Sequence, residues 1–408
     1  MTHTPDKAFY RAAILDPVSP SSWRYIPDGG LLVERGRIAS CGPVAAVGPE
    51  AEVPPQELDG VLVPGFIDLH LHWVQHAVRG RFHGDLLSWL ERHIYPEEAR
   101  FADPVHARAC ARAFFADVLR AGTVGGMAYS SIHLEALRIA REEARGRWVA
   151  GNVLMDDGDR LPPHPAALLE EARAWGPDGY AVSPRFALSC SAGLLEAAGR
   201  LARELGCFVQ THLAESPAEV AAVARAFPEA ADYTDVYDRA GLLGPRTVLG
   251  HCIHLSEREW NCLLERGCWI AHCPSSNEAL DSGRMDLEAV RRHGIPWALG
   301  SDVGAGPSVS MLHVMQRFLA VHAAAGVSVT AREALYRATL AGARCLGAGE
   351  ELGSLRPGRA AHFVLLPWPR GTRDPGGALR EVMAGGPAEL ESRPLGTWLW
   401  GRRLAPPA

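Results

Sequence analysis

From Phe66 to Ser301 short apolar runs alternate with amphipathic segments, and this rhythm constrains the fold more than any other feature of the chain. The runs are Phe66–His72, Thr123–Tyr129, Trp148–Met155, Tyr180–Phe186, Phe208–Leu213, Thr247–His251, Trp269–Cys273 and Pro296–Ser301. Their length and their Gly, Pro or polar boundaries mark strands rather than helices. Between them Pro104–Arg120, Gly193–Glu204, Pro217–Ala226, Glu257–Arg266 and Leu287–His293 carry apolar residues at helical spacing. Eight strand-then-helix units predict an α/β fold, a (β/α)8 TIM-type barrel.

The flanks read differently. Gly30-Leu-Leu-Val-Glu-Arg-Gly-Arg-Ile-Ala-Ser and Glu57-Leu-Asp-Gly-Val-Leu-Val near the start, and Gly353-Ser-Leu-Arg-Pro-Gly-Arg-Ala-Ala-His-Phe-Val-Leu-Leu near the end, are strand-like text broken by turns. No low-complexity linker sets either end apart. Residues 1–63 and 346–408 are therefore expected to pair as one small composite β-sandwich domain, with residues 64–345 forming the barrel.

Composition removes several function classes. A net charge of −6 offers no basic footprint for nucleic acid. Lys7 is the only lysine, so the barrel has no residue for a Schiff base or a P-loop. The opening Met-Thr-His-Thr-Pro-Asp-Lys has no apolar core of a signal peptide, and no long uncharged apolar run suggests a membrane partner. Nine scattered cysteines without a Cys-x-x-Cys pair read as reduced, buried thiols of a cytoplasmic protein.

In a barrel of this kind the chemistry sits at the C-terminal ends of the strands. The first strand closes on His70-Leu-His72, and residues i and i+2 of a strand share a face, so both imidazoles converge. Gln75 follows. The fourth ends Ser183-Pro-Arg185-Phe186, the fifth Gln210-Thr-His212-Leu-Ala-Glu215, the sixth Leu249-Gly-His251 and the eighth Leu299-Gly-Ser-Asp302. Polar or titratable groups at five strand ends form a constellation rather than a scatter. His70, His72, His212 and Asp302 are read as metal ligands, leaving room for one water. A bound cation lowers the pKa of such a water toward about 7. Glu215 is placed to move protons, or to begin the next helix beside Ser216 and Pro217. His251 is placed to bond the attacking oxygen, or is a satisfied core histidine. Asp302 serves as ligand and proton acceptor. Arg185 is a substrate donor or one half of a structural ion pair. Binuclear hydrolases of this architecture bridge their metals with a carboxylated lysine, and Arg185 cannot do this, so one metal per chain is expected. His133-Leu-Glu135 imitates half of another zinc deaminase signature but lacks its downstream Cys-x-x-Cys.

The chain resembles the amidohydrolase superfamily and, within it, the guanine deaminases. The broader resemblance rests on Pro64-Gly-Phe-Ile-Asp-Leu-His-Leu-His72, the lone histidines of the fifth and sixth strands and the aspartate of the eighth. The narrower one rests on Gln75, Leu86-Leu-Ser-Trp-Leu90, Tyr95-Pro-Glu-Glu-Ala-Arg-Phe, Pro184-Arg-Phe-Ala-Leu-Ser-Cys-Ser191, Gln210-Thr-His-Leu-Ala-Glu215 and Tyr233-Thr-Asp-Val-Tyr-Asp238. His272-Cys-Pro-Ser-Ser-Asn277 and Leu299-Gly-Ser-Asp-Val-Gly-Ala-Gly-Pro-Ser-Val-Ser-Met-Leu312 complete it. It implies hydrolysis of guanine to xanthine and ammonia by attack of a metal-bound hydroxide on C2, in purine catabolism. It also implies zinc (with ferrous iron as the alternative), a purine base as the partner, and a homodimer. Gln75, Arg185, Phe186, His212 and Glu215 are the expected substrate contacts, with Arg185 donating to O6.

Three positions depart from the family pattern. Trp73 replaces a smaller residue and predicts a narrower pocket. Glu278-Ala-Leu-Asp281 replaces an apolar run and predicts a more polar cover over the substrate, which opens the alternative of a pterin, an oxidised purine or a triazine. His362 replaces an aspartate and reads as structural. A catalytically inactive interaction protein is the remaining alternative, and such chains usually lose metal ligands.

Overall fold

The computed structural model describes residues 7–82, 86–157 and 165–404. Met1–Asp6, where a targeting segment was sought, lies outside them. The chain divides into two compact units. One takes the described residues up to Asp68, Ala116–Gly126 and the chain from Ser308 on; the other takes Leu69–Phe115 and Met127–Pro307.

The two chain ends meet in one seven-stranded mixed sheet. Strands β1 (Lys7–Ser19), β2 (Ser22–Glu34), β3 (Arg37–Pro43) and β4 (Pro55–Pro64) come from the beginning of the chain. The long β1 pairs antiparallel with β2 and parallel with β4. Alternation puts Tyr10, Leu31 and Val33 on one face, in a core with Phe363 and Trp398 from the far end of the chain. Phe9 and Leu32 point to the other face, against Val47 and Ala51 of the helix Val44–Ala51.

The barrel strands are β5 (Phe66–His72), β6 (Thr123–Ser130), β7 (Arg147–Leu154), β8 (Ala181–Pro184), β9 (Phe208–Leu213), β10 (Thr247–His251), β11 (Trp269–His272) and β12 (Trp297–Leu299). They follow one another in chain order across a single sheet, with parallel pairing throughout the registers between β7 and β12. Strands β5, β6, β8, β10 and β12 are buried along their whole length, as expected of a sheet covered on both faces. The fourth run ends as a strand at Pro184 and the eighth at Leu299. Phe186, Ser301 and Asp302 thus belong to the loops that leave the strands. Among the described residues the last strands of the small sheet are β13 (Phe363–Leu366), β14 (Gly396–Leu399) and β15 (Arg402–Arg403). Here β13 pairs antiparallel with both β4 and β14.

All nine cysteines are free thiols, and only Cys41 and Cys110 are partly exposed. No helix of the described residues is long and apolar enough to cross a membrane. His362 is buried, its carbonyl accepts from the Gly65 N–H at 3.0 Å, and its ring meets Trp400 edge to face. That is a structural position.

Candidate metal and substrate site

The loop after β12 is pinned to the end of β5 by main-chain bonds. The Asp302 N–H donates to the His70 carbonyl at 2.8 Å and the His72 N–H to the Val303 carbonyl at 2.7 Å. This brings a residue from the last barrel strand beside two from the first. Glycine makes room for the His70 ring: a Cβ on Gly250 would lie 2.8 Å from His70 Cε1, and one on Gly300 would lie 2.8 Å from His70 Cβ. Ala214, His251 and Asp302 have φ of 52°, 68° and 50°, so three strand-end turns enter the left-handed region that non-glycine residues occupy at a cost.

One ligand atom from each of His70, His72, His212 and Asp302 lies within 4.8 Å of all the others. His70 Nε2 is 3.4 Å and His72 Nε2 3.6 Å from Asp302 Oδ1. His212 Nδ1 is 2.6 Å from the Arg185 carbonyl. A carbonyl only accepts, so Nδ1 carries the proton and the lone pair of Nε2 is free for the centre. That Nε2 faces His72 Nε2 at 3.1 Å. Burial pushes the His70 imidazole below its ordinary pKa, and those of His72 and His212 well below. Burial alone would raise Asp302, yet the hydrogen bond and charge of His70, with His251 and His72, hold it well below the usual carboxylate range. Ser276 Oγ donates to Asp302 Oδ2 at 2.5 Å. Neutral imidazoles and an ionised carboxylate gathered in one buried cluster, with the His212 Nε2 lone pair directed into it, fit a divalent metal.

Glu215 stands next to this cluster. Ser216 caps the helix Pro217–Ala226, as the sequence suggests, but the capping carboxylate is Glu219. Glu219 Oε2 accepts from the N–H groups of Glu215 and Ser216 at 2.8 and 3.2 Å, and Oε1 accepts from Tyr233 Oη at 2.7 Å. The Glu215 side chain is thereby released from capping and lines the cavity. Its Oε2 lies 3.5 Å from His251 Nε2, and its Oε1 accepts from Ser282 Oγ at 3.1 Å. Burial pushes the Glu215 carboxyl up to about 7, against the pull of the His251 charge. His251 Nδ1 bonds Asn277 Oδ1 at 2.8 Å, and its Nε2 also lies 3.9 Å from Asp302 Oδ2.

The cavity is lined by His72, His212, Asp302, Glu215 and His251 together with Gln75, Arg185, Phe186, Trp89, Leu90 and Leu280. Of the nine site residues read from the sequence, eight line this cavity, and His70 stands in the cluster with His72, His212 and Asp302. Of the two roles the sequence left open for Arg185, the ion pair is present. The side chain is paired at 2.8 Å with Glu98 and also lines the cavity; burial pulls its pKa down, and the charge and hydrogen bond of Glu98 with the neighbouring Tyr95 and Tyr129 together raise it.

Two expectations are corrected. Trp73 does not narrow the pocket; it is buried edge to face against Phe101. The Glu278–Asp281 segment does not present acid to the cavity. Leu280 is the residue that lines it, while Glu278 and Asp281 are exposed. Sequence reasoning missed Glu98, Glu219, Ser276, Asn277 and the apolar wall of Trp89 and Leu90. The family motif around Tyr95 contains Glu98, and the need of a buried arginine for a counter-charge was the physical signal that pointed to its role.

The sequence pattern of the amidohydrolase family matches residues 61–386. Guanine deaminase of Escherichia coli strain K12 is 34% identical over 367 residues, 85% of this chain and 82% of that protein. The mouse guanine deaminase is 32% identical over 331 residues, 74% and 72% of the two chains. A solved structure of E. coli guanine deaminase superposes with a TM-score of 0.91 at 30% identity, covering 99% of both chains. Guanine deaminase from C. acetobutylicum, solved with guanine bound in its active site, gives a TM-score of 0.86 at 26% identity over 98% of this chain and 100% of that one. The chain belongs to the amidohydrolase family and, within it, to the guanine deaminases.

Proposed function

We propose that this chain hydrolyses guanine to xanthine and ammonia. The observation that carries the reading is that Gln75, Arg185 and Phe186 line the same cavity as Glu215, His251, His72, His212 and Asp302. A divalent cation held by His70, His72, His212 and Asp302 supplies positive charge and an acidified water. Glu215 takes a proton from the attacking water and delivers one to the ring nitrogen beside C2. A carboxyl near pH 7 is suited to both transfers. His251, oriented by Asn277, holds its Nε2 toward the attacking oxygen. Asp302, kept ionised, takes the remaining proton of the attacking oxygen as C2 passes through its tetrahedral stage and passes it to the amine, which leaves as ammonia. Arg185 donates to O6 of the purine, and Phe186, Trp89 and Leu280 pack its ring and exclude water.

The metal is read as zinc, one ion per chain, because three imidazole nitrogens and a carboxylate suit it. Nine free thiols suit a reducing, cytoplasmic setting. The homodimer and the place in purine catabolism rest on the family resemblance.

Steady-state rates on guanine, 8-oxoguanine, isoxanthopterin, cytosine and adenine test the substrate, with xanthine and ammonia measured as products. Guanine is expected to give the highest kcat/KM, and a higher value on any other compound overturns the reading. Metal analysis of the purified protein should return about one zinc per chain.

A further inference from the structure

Glu98 lies on the short helix Tyr95–Ala99 and is buried together with Gln75 and Arg185. Its Oε1 accepts from Gln75 Nε2 at 2.7 Å. Arg185 Nη1 lies 3.0 Å from that same oxygen and 2.8 Å from Oε2. The Tyr95 ring covers the guanidinium, with its centroid 5.1 Å from Cζ. A carboxylate has only acceptors, so the Gln75 atom that faces it is the amide NH2. The Gln75 Oε1 is turned away from Glu98 and toward Gly304, where an added Cβ would stand 2.4 Å from it. Glycine at that position leaves the carbonyl its space.

With its NH2 held by Glu98, what Gln75 has left to offer a ligand is its carbonyl, beside the Arg185 guanidinium, and both residues line the cavity. A purine with a 6-oxygen and a proton on N1 offers the complementary pair. A purine with a bare N1 and no 6-oxygen does not, and leaves buried polar groups unpaired. We infer that Glu98 is the positioning residue that sets this polarity, and so decides the specificity for 6-oxopurines without touching the substrate. The inference rests on the reading of guanine as substrate.

The test compares guanine with 2-aminopurine, which carries the same leaving amine but no 6-oxygen. Glutamine at position 98 keeps one carbonyl oxygen but removes the counter-charge and sets an NH2 donor where the second oxygen meets Arg185 Nη1 at 2.8 Å, so the guanidinium loses its anchor. In Glu98→Gln, kcat/KM for guanine should fall about 100-fold, chiefly through KM, the size of effect expected from one misdirected buried hydrogen bond. The ratio of guanine to 2-aminopurine kcat/KM should fall by about tenfold or more, with metal content unchanged. A merely structural role would depress both substrates alike, so a smaller fall in the ratio overturns the inference. Glu98→Asp keeps the charge and both acceptors but withdraws them by one methylene. It serves if the first variant does not fold: its ratio should fall at least about threefold, and an unchanged ratio overturns the role. Wild-type protein that releases no ammonia from guanine removes the substrate reading itself. Wild-type turnover with an unmoved ratio removes only the role of Glu98.

Discussion

His212 donates its Nδ1–H to the main-chain carbonyl of Arg185 at 2.6 Å. One residue of β8's exit thus serves the site twice: its backbone orients a histidine of the candidate metal cluster and its side chain lines the cavity. The link is covalent and short, so the two halves of the site are held in one register. A ligand imidazole whose other nitrogen is tied to a carbonyl has a fixed tautomer and raised basicity.

The room left for His70 gives a direct test of the metal reading. Gly250→Ala places a Cβ 2.8 Å from His70 Cε1, so the ring must shift. Metal affinity, measured by competition with a chelator, should weaken by about 10–100-fold. Unchanged affinity would take His70 out of the ligand set.

Removal of the proton shuttle should separate chemistry from binding. Glu215→Gln keeps the shape of the side chain and leaves the four ligands intact. The variant should retain its metal, by elemental analysis, while kcat falls by about 10²–10⁴-fold. Turnover near the wild-type rate would assign the proton transfers elsewhere.

The same carboxyl makes the metal-free protein sensitive to pH. Burial raises it from an ordinary 4.5 to about 7, so the folded state holds its proton more tightly than the unfolded chain. Its contribution to stability is therefore fully present below about pH 4.5 and is lost as pH rises toward 7. Metal-free Glu215→Gln should melt several degrees above the metal-free wild type at pH 8, and the gap should close by pH 5. A gap of the opposite sign at pH 8 would show that the carboxyl is stabilised in its charged form.

Glu219 supports Glu215 from behind and should matter for both stability and rate. Glu219→Ala leaves two main-chain N–H groups and the Tyr233 hydroxyl without their acceptor. Chemical denaturation should show a loss of about 2–4 kcal/mol. Because the capping carboxylate fixes where Glu215 leaves its turn, kcat should fall as well. Ser216→Ala removes only the other half of the capping box and should cost about 1 kcal/mol, with kcat less affected.

The barrel was legible from local text. The runs Phe66–His72, Phe208–Leu213 and Thr247–His251 are strands over those spans, and Pro104–Arg120, Pro217–Ala226, Glu257–Arg266 and Leu287–His293 are helices over theirs. Periodicity and punctuation act within a dozen residues and are written in the order they are used. The polar residues at the strand ends followed, since the barrel's C-terminal face is fixed once the strands are.

The supporting groups were not legible in that way. Glu98 reaches Arg185, Glu219 takes the cap that Glu215 was open to taking, and Leu280 turns inward between exposed Glu278 and Asp281. Each depends on how a loop or a short helix folds back, which no period of 2 or 3.6 residues encodes. By itself the sequence determined the barrel and the residues that gather at its strand ends, His70, His72, His212 and Asp302 with Glu215 beside them. Tertiary structure alone decided which carboxylate caps and which faces the cavity. It also decided which amide atom of Gln75 is turned from Glu98, because a hydrogen bond has direction and its partner is set in space, not in sequence.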